Sequence, residues 1–238
     1  GVEYQQSTYS KFKTSLMHLS NFVQSKYNVN DIALNNLQYQ FITSYEHYLK
    51  ATLGIGINTS NKYLLHLKKV INLAIDNEWL NRNPFSRYKM KNKPSERVFL
   101  IEDELTKIVE TPILNQRLSE VRDVFVFCCL TGLSYSDIKS LSSNDVSKGI
   151  DGKMWIRKHR KKTGSLSRVS LVPYAVDLIE RYKDHPEANV KGIFFPVISN
   201  QKMNIYLKSV GKLCGIDKKL TVHMARHTFG TYTATLNV

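Results

Sequence analysis

Thr221-Val-His-Met-Ala-Arg-His-Thr-Phe-Gly230 is the most specific segment of the chain. On a helix, a spacing of three sets His223 and Arg226 on one face, where an imidazole and a guanidinium can share one target. An arginine fork matches the paired oxygens of a phosphate, and an imidazole exchanges a proton near neutral pH. His-x-x-Arg alone is a weak signal that fits a surface pair or a capped helix better, so its meaning rests on its surroundings. Upstream, Met154-Trp-Ile156 and Arg168-Val-Ser-Leu-Val172 are β-rich runs flanking the polar segment His159 to Ser167, with Thr163-Gly164-Ser165 as the turn. They predict a β-hairpin with a basic tip. Before it, a strongly apolar helix over Gln116 to Thr131 stops at Gly132. Ser134-Tyr-Ser-Asp137 then reads as a capping box opening a short helix.

Charge sharpens this reading. The 238 residues carry 34 Lys and Arg against 20 Asp and Glu, a formal net charge of +14. Residues 82–97 hold six of the bases against one acid, Glu96, and residues 157–168 hold six with no acid. Most of the net charge therefore lies in two short runs. Arg87, Lys89, Lys91, Lys93 and Arg97 in the first run are read as contacts to an anionic backbone, as are Lys158, Arg160, Lys161 and Arg168 in the second. Neither run lies on an amphipathic helix with an aromatic-rich face, which argues against a membrane surface. The longest apolar run, Val124 to Leu130, is far short of a bilayer span. Apolar residues at 42% and charged residues at 23% are ordinary globular values and exclude a disordered chain. Three cysteines, two of them adjacent, form neither a disulfide framework nor a zinc spacing. Cys128 and Cys129 read as core, no metal is expected, and a reducing, cytoplasmic setting is expected.

The first part of the chain reads as helices. Thr8 to Tyr27 places Phe12, Leu16, Leu19 and Val23 in one stripe; Leu37 to Leu49 groups Phe41, Ile42, Tyr45 and Leu49. After Gly54 and Gly56, Thr59 or Ser60 is a plausible N-cap for a helix to about Asn77, with Leu64, Leu67, Val70, Ile71 and Ala74 inward. Asn83-Pro84 ends this block, and the basic stretch after it reads as a linker. Ile101-Glu-Asp-Glu-Leu105 puts acids at the next helix start, where the dipole favours them. Further helices are predicted at Val176 to Tyr182, Asn200 to Cys214 and His223 to Leu236.

With the Thr131-Gly-Leu turn, Lys162 on the hairpin and the His-x-x-Arg-His-Thr-Phe box in that order, the chain resembles the tyrosine recombinases, the lambda-integrase family. The phrasing of Asn-Pro-Phe85 and of Phe127-Cys-Cys-Leu-Thr-Gly-Leu-Ser-Tyr-Ser-Asp137 is most similar to integrases of Bacteroidetes conjugative and mobilizable elements. The resemblance implies a mainly α fold with a small antiparallel sheet. A helical, four-helix core-binding domain (1–85), a basic linker (86–98) and a mixed α/β catalytic domain (99–238) would clasp a duplex as a C-shaped clamp. It also implies site-specific recombination of double-stranded DNA through a 3′-phosphotyrosyl bond, integrating and excising a mobile element. No metal or nucleotide cofactor is involved. The partners would be paired DNA sites, three further copies in a homotetramer, and accessory DNA-bending proteins.

Carried onto this sequence, Arg226 would clamp nonbridging oxygens, Lys162 would protonate the leaving 5′-oxygen, and His223 would hydrogen-bond the phosphate or handle the nucleophile's proton. Lys161, one residue away, is the rival acid. Two departures stand out. Most members have a catalytic arginine after Thr-Gly-Leu, where this chain has Ser134, read as an N-cap. Arg122, twelve residues upstream and roughly 18 Å away along an ideal helix, is either a replacement guanidinium or an ordinary arginine. The nucleophilic tyrosine of the family lies farther past Arg226 than Val238, so the sequence is expected to be truncated before it; Tyr232 is too near. An N-terminal arm-binding domain is a second expected absence. A catalytically inactive, recombinase-like DNA-binding regulator is the alternative, and a type IB topoisomerase a more distant one.

Overall fold

A computed structural model describes residues 4–94 and 96–235, and contacts divide the chain into two units, Gly1–Ser95 and Glu96–Val238. The expected mainly helical architecture with a small antiparallel sheet is what the structure shows. The predicted final residue of the last helix, Leu236, lies outside the described residues. Among the described residues, no helix is long and apolar enough to cross a membrane.

The first unit holds three α-helices among its described residues, α1 (Gln6–Tyr27), α2 (Tyr39–His47) and α3 (Ile57–Asp76), where the family resemblance implied four. A π-helical turn, Tyr48–Thr52, prolongs α2 and carries Leu49 into the core. Asn28 closes α1 in the left-handed conformation (φ 54°), its N–H donating to the Gln24 carbonyl. The core centres on Phe22, whose ring lies 5.3 Å from Phe41, 5.2 Å from Tyr45 and 5.4 Å from Tyr48. Burying a side chain of this size contributes about 1.5–3 kcal/mol. Two predicted core positions fall outside it. Leu16 is 63% exposed and Val70 is 53% exposed. On α1 the buried stripe passes through Ser15, Phe22 and Val23, and Leu16 sits about 100° round the helix from Ser15. The third helix starts at Ile57 with Gly56 as its cap residue. The expected cap Ser60 is buried one turn inside, its hydroxyl donating to the Ile55 carbonyl.

The basic stretch that follows is fastened to this unit over its first part. Tyr88 and Met90 pack on the core. Asn61 Nδ2 donates to the Lys91 carbonyl at 2.9 Å, and Asn58 exchanges two hydrogen bonds with the Lys93 backbone at 2.8 and 3.0 Å. Asparagine side chains bonded to the backbone in this way fix the chain that carries the lysines without engaging the lysine side chains.

In the second unit, α4 (Glu102–Glu110), α5 (Gln116–Thr131), α6 (Tyr135–Ile138), α7 (Pro173–Arg181), α8 (Pro186–Val190), α9 (Asn200–Leu213) and α10 (Val222–Thr235) surround a sheet of β1 (Val146–Lys148), β2 (Met154–His159) and β3 (Leu166–Ser170). The strand order is β1-β2-β3 and both pairings are antiparallel. The predicted hairpin is β2–β3; β1 and α8 are too short to leave a periodic signal and were not anticipated. Helix α5 is the spine: Val121, Val124, Phe125, Val126, Phe127, Cys128 and Cys129 are all buried, so the helix is covered on every side. Both cysteines belong to this core, and burial pushes the Cys128 thiol up to about 12, so neither is a reactive thiolate.

Replacing Asn58 by Ala removes both hydrogen bonds to Lys93 and should cost about 0.5–1.5 kcal/mol in the first unit. Hydrogen exchange at the Lys93 amide is the direct measurement. Exchange as slow as in the parent chain would show that the stretch is held by something else.

Candidate active site

The end of α5 begins the site. Gly132 takes up a left-handed conformation (φ 64°) and its N–H caps the helix on the Cys128 carbonyl at 2.9 Å. A Cβ at this position would stand 2.3 Å from the Phe229 ring of α10, so glycine is required twice, for its backbone angle and for the close approach of α10. That contact brings the Thr-Gly-Leu turn and the His-x-x-Arg box together. Arg226 is half-buried beside it, Nη1 3.5 Å from the Gly132 carbonyl. Thr228 holds the box from behind. Its buried hydroxyl accepts the Leu100 N–H at 3.0 Å and donates to the Met224 carbonyl at 3.1 Å.

Ser134 occupies the N-cap position of α6, but its hydroxyl makes no capping bond to the backbone. It donates instead to Asp137 Oδ2 at 2.7 Å and lies 2.8 Å from the Ser136 hydroxyl. The expected capping box is thus replaced by a side-chain pair, because Asp137 is only 3% exposed and a buried carboxylate needs donors. The other oxygen of Asp137 accepts the Lys161 N–H at 3.1 Å, tying the hairpin turn to the start of α6.

Arg160 and Arg226 line one cleft of about 1060 Å³, together with Gly132, Arg168, Phe229 and Tyr232. Burial first, and the Arg160 charge second, hold the Arg226 guanidinium below its ordinary pKa, with Asp137 opposing. Three guanidinium groups, Arg160, Arg168 and Arg226, thus line one cleft whose wall also carries Glu102 and Glu110, and Arg160 is the one whose charge acts on Arg226, a pairing of like charges suited to an anion. His223 and His227 lie one helical turn apart on α10, with Nε2 atoms 3.1 Å apart. Tyr232 has its hydroxyl held above the ordinary value, by burial first and then by Glu102, the opposite of an activated nucleophile.

Lys161 and Lys162 are exposed on the hairpin turn, and among the described residues neither side chain makes an ion pair or hydrogen bond. Arg168 is exposed on β3. Arg87, Lys89, Lys91 and Lys93 are exposed on the first unit, and Arg97 is exposed in the second, close enough to act on His227. Two residues are engaged elsewhere. Lys158 is paired with Asp145 at 2.7 Å and the Ser140 carbonyl at 2.8 Å, clamping β2 to the segment before β1 rather than facing a ligand. Arg122 donates to Asp123 at 2.9 Å, to the Thr111 carbonyl at 3.0 Å and to Ser119 at 3.2 Å, so every nitrogen of its guanidinium is occupied at the far end of α5. The guanidinium whose charge acts on Arg226 is that of Arg160, to which sequence reasoning assigned only a backbone contact. Its place on the hairpin, two residues before Lys162, was the available signal. Among the described residues, no three His, Cys, Asp or Glu side chains converge as a metal site.

Two family profiles match the chain: the phage integrase SAM-like domain over residues 2–91 and the phage integrase family over residues 98–235. The chain belongs to the phage integrase family of tyrosine recombinases. No curated protein matches it in sequence. Solved structures share its fold at low identity. A lambda integrase (75–356) dimer bound to a COC′ core site superposes with a TM-score of 0.76 at 13% identity, covering 99% of this chain and 82% of that one. The Tn1549 transposon integrase in complex with a circular intermediate DNA gives 0.74 at 15%, covering 100% and 84%. XerH site-specific recombinase bound to a difH substrate gives 0.69 at 16%, covering 95% and 68%.

Two predictions follow from this geometry. Replacing Asp137 by Ala leaves the Lys161 N–H and the Ser134 hydroxyl without their acceptor, a cost of about 1–3 kcal/mol. Faster hydrogen exchange at Lys161 is the local signature, and unchanged exchange there would refute the tether. His227 is held below its ordinary value of 6.5, by burial first and then by the charges of His223, Arg97 and Arg226. The folded chain therefore binds this proton less readily than the unfolded one. Its contribution is present above about pH 6.5 and is lost as pH falls through the lowered value. Melting temperature should decline between about pH 7.5 and 5, and His227→Gln should flatten part of that decline. An identical slope in the variant would exclude His227 as a source.

Proposed function

We propose that the chain belongs to an integrase that cuts and rejoins duplex DNA to move a mobile element into and out of it. The observation that carries this reading is the cleft at the Thr-Gly-Leu turn, where Arg160 and Arg226 converge in a chain of the phage integrase family. In the reaction, a tyrosine oxygen attacks the phosphorus, the bond to the 5′-oxygen breaks, and the departing oxygen takes up a proton. Negative charge grows on the nonbridging oxygens, and that is where paired guanidinium groups lower the barrier. Arg226 is assigned one side of this clamp and Arg160 the side vacated by Ser134. Lys162 is assigned the proton for the 5′-oxygen, and His223 is assigned either a hydrogen bond to the phosphate or the proton that the attacking tyrosine gives up. The exposed bases of segment 86–97 and of the hairpin turn are assigned to flanking phosphates. The assembly is read as a homotetramer on paired sites, assisted by DNA-bending proteins, and the phrasing around Phe85 and Phe127 supports reading its kin as integrases of Bacteroidetes conjugative and mobilizable elements.

Ser134 in place of an arginine favours one second reading, a regulator that binds without cutting. A nicked suicide substrate given to the full-length protein separates the two. Covalent adducts are the expected result, and their complete absence would favour the regulator. Arg160→Ala should slow adduct formation by about 100-fold or more, as loss of one charge-stabilising donor does elsewhere, and adding Ser134→Arg should restore part of it. Cleavage at the parent rate by Arg160→Ala would remove Arg160 from the clamp. A 5′-bridging phosphorothioate, whose leaving group needs no acid, should rescue Lys162→Ala and leave Lys161→Ala with no comparable gain. The reverse pattern would transfer the role to Lys161.

A further inference from the structure

The strand register places two arginines opposite each other on β2 and β3: Arg157 pairs with Arg168. The hydrogen-bonding pattern fixes how close they come. The Arg160 N–H donates to the Ser165 carbonyl at 2.9 Å, and the Leu171 N–H donates to the Met154 carbonyl at 2.8 Å, so the pairs 160–165 and 154–171 are of the hydrogen-bonded kind. These alternate with non-hydrogen-bonded pairs along an antiparallel ladder, and Arg157–Arg168, an odd number of steps from both, is one of the latter. In such pairs the Cα atoms approach to about 4.5 Å and the side chains stand closest. Two cations are thus directly opposed at one of the close positions of the hairpin.

The hairpin supplies no counter-charge of its own, and Glu102 and Glu110, which line the cleft that Arg168 borders, form no ion pair with it. Residues 157–168 contain no acid, and among the described residues neither arginine takes part in an ion pair. The acids flanking the hairpin are already engaged. Asp145, on the β1 side, accepts from Lys158 and from the Ser142 N–H, and Asp151 accepts from the Trp155 ring N–H at 3.0 Å and from the Lys153 N–H at 3.1 Å. Like charges directly opposite on neighbouring strands destabilise a sheet unless a counter-charge sits between them. Both side chains are exposed, on the sheet face opposite that of the buried Ile156. Arg160, three residues on, has the other parity. Strand β3 is an edge of the sheet, and Arg168 also borders the cleft that holds Arg160 and Arg226.

We infer that Arg157 and Arg168 form a binding site for a backbone phosphate of duplex DNA that flanks the phosphate being cut. Two guanidinium forks facing one another across a ladder can each present paired N–H donors to one phosphodiester. The ligand supplies the counter-charge that the protein lacks. The site rests on the reading of the chain as a DNA-binding protein, but its signature is separate: the pair opposes folding when empty and favours binding when filled.

Anisotropy of a labelled duplex of mixed sequence, titrated at several salt concentrations, tests it with Arg157→Gln, Arg168→Gln and the double variant, alongside thermal melts of the free proteins. Each single variant should bind the duplex more weakly, with the slope of log K against log salt reduced by about one. Each should also melt about 1–2 °C above the parent, with no further rise in the double variant, because one substitution already removes the repulsion. Inorganic phosphate should raise the melting temperature of the parent and lose that effect in the variants. Duplex binding with unchanged affinity and salt slope in both single variants would overturn the site while leaving the DNA-binding reading intact. Failure of the parent to bind the duplex would overturn both. If phosphate still stabilised the parent and not the variants in that case, the pair would be a free-anion site rather than a DNA contact.

Discussion

Asp137 lies buried beside the hairpin turn with its carboxylate shared between the Ser134 hydroxyl and the Lys161 amide. A buried carboxylate without donors would be costly, so the surrounding chain is held where it can supply them. One donor comes from the turn that ends α5 and the other from the hairpin turn between β2 and β3. The same carboxylate acts on Arg226 from α10. Three segments far apart in sequence are in this way referred to one small negative group. The residues on either side of Lys161, Arg160 and Lys162, inherit their positions from it. If the carboxylate is lost, the hairpin keeps its ladder but loses its attachment to the helical turn.

The charges of the second unit divide into two populations. Lys158 with Asp145, Arg122 with Asp123, Arg181 with Asp123 and Lys218 with Glu104 are internal pairs that join elements of the fold. Arg157, Lys161, Lys162 and Arg168 have no such partners among the described residues, and Arg160 faces Arg226 across a cleft. Unpaired cations gathered on one hairpin are poor for folding and good for meeting a polyanion, because each phosphate contact releases counterions as it forms. The separation between the two populations is a three-dimensional property. Lys158 and Arg157 are neighbours in one basic run, yet strand alternation sends one toward Asp145 and the other to the open face.

Much of this was legible in the sequence. The buried, uniformly apolar α5, its stop at Gly132, the hairpin and the His-x-x-Arg helix all follow from local rules of periodicity, capping and turn chemistry. The family motifs stand in the order those elements require. Less legible were Leu16 and Val70, which continue an apolar stripe but flank it. A helix in a small unit has partners on only part of its surface, and the width of that part is set by packing. The strand β1 was missed for a similar reason, since three residues carry no period.

The sequence alone determined where the positive charge is concentrated, which family the chain resembles, and that the usual arginine after Thr-Gly-Leu is a serine. Only the tertiary structure decided which cations remain for a ligand. It committed Arg122 and Lys158 to carboxylates and carbonyls, turned the Ser134 hydroxyl onto Asp137, and set Arg160 beside Arg226. The physical reason is that composition fixes how many charges a chain has, whereas pairing depends on distances of a few ångströms. Those distances come from packing α5 against α10 and from the register of β2 on β3.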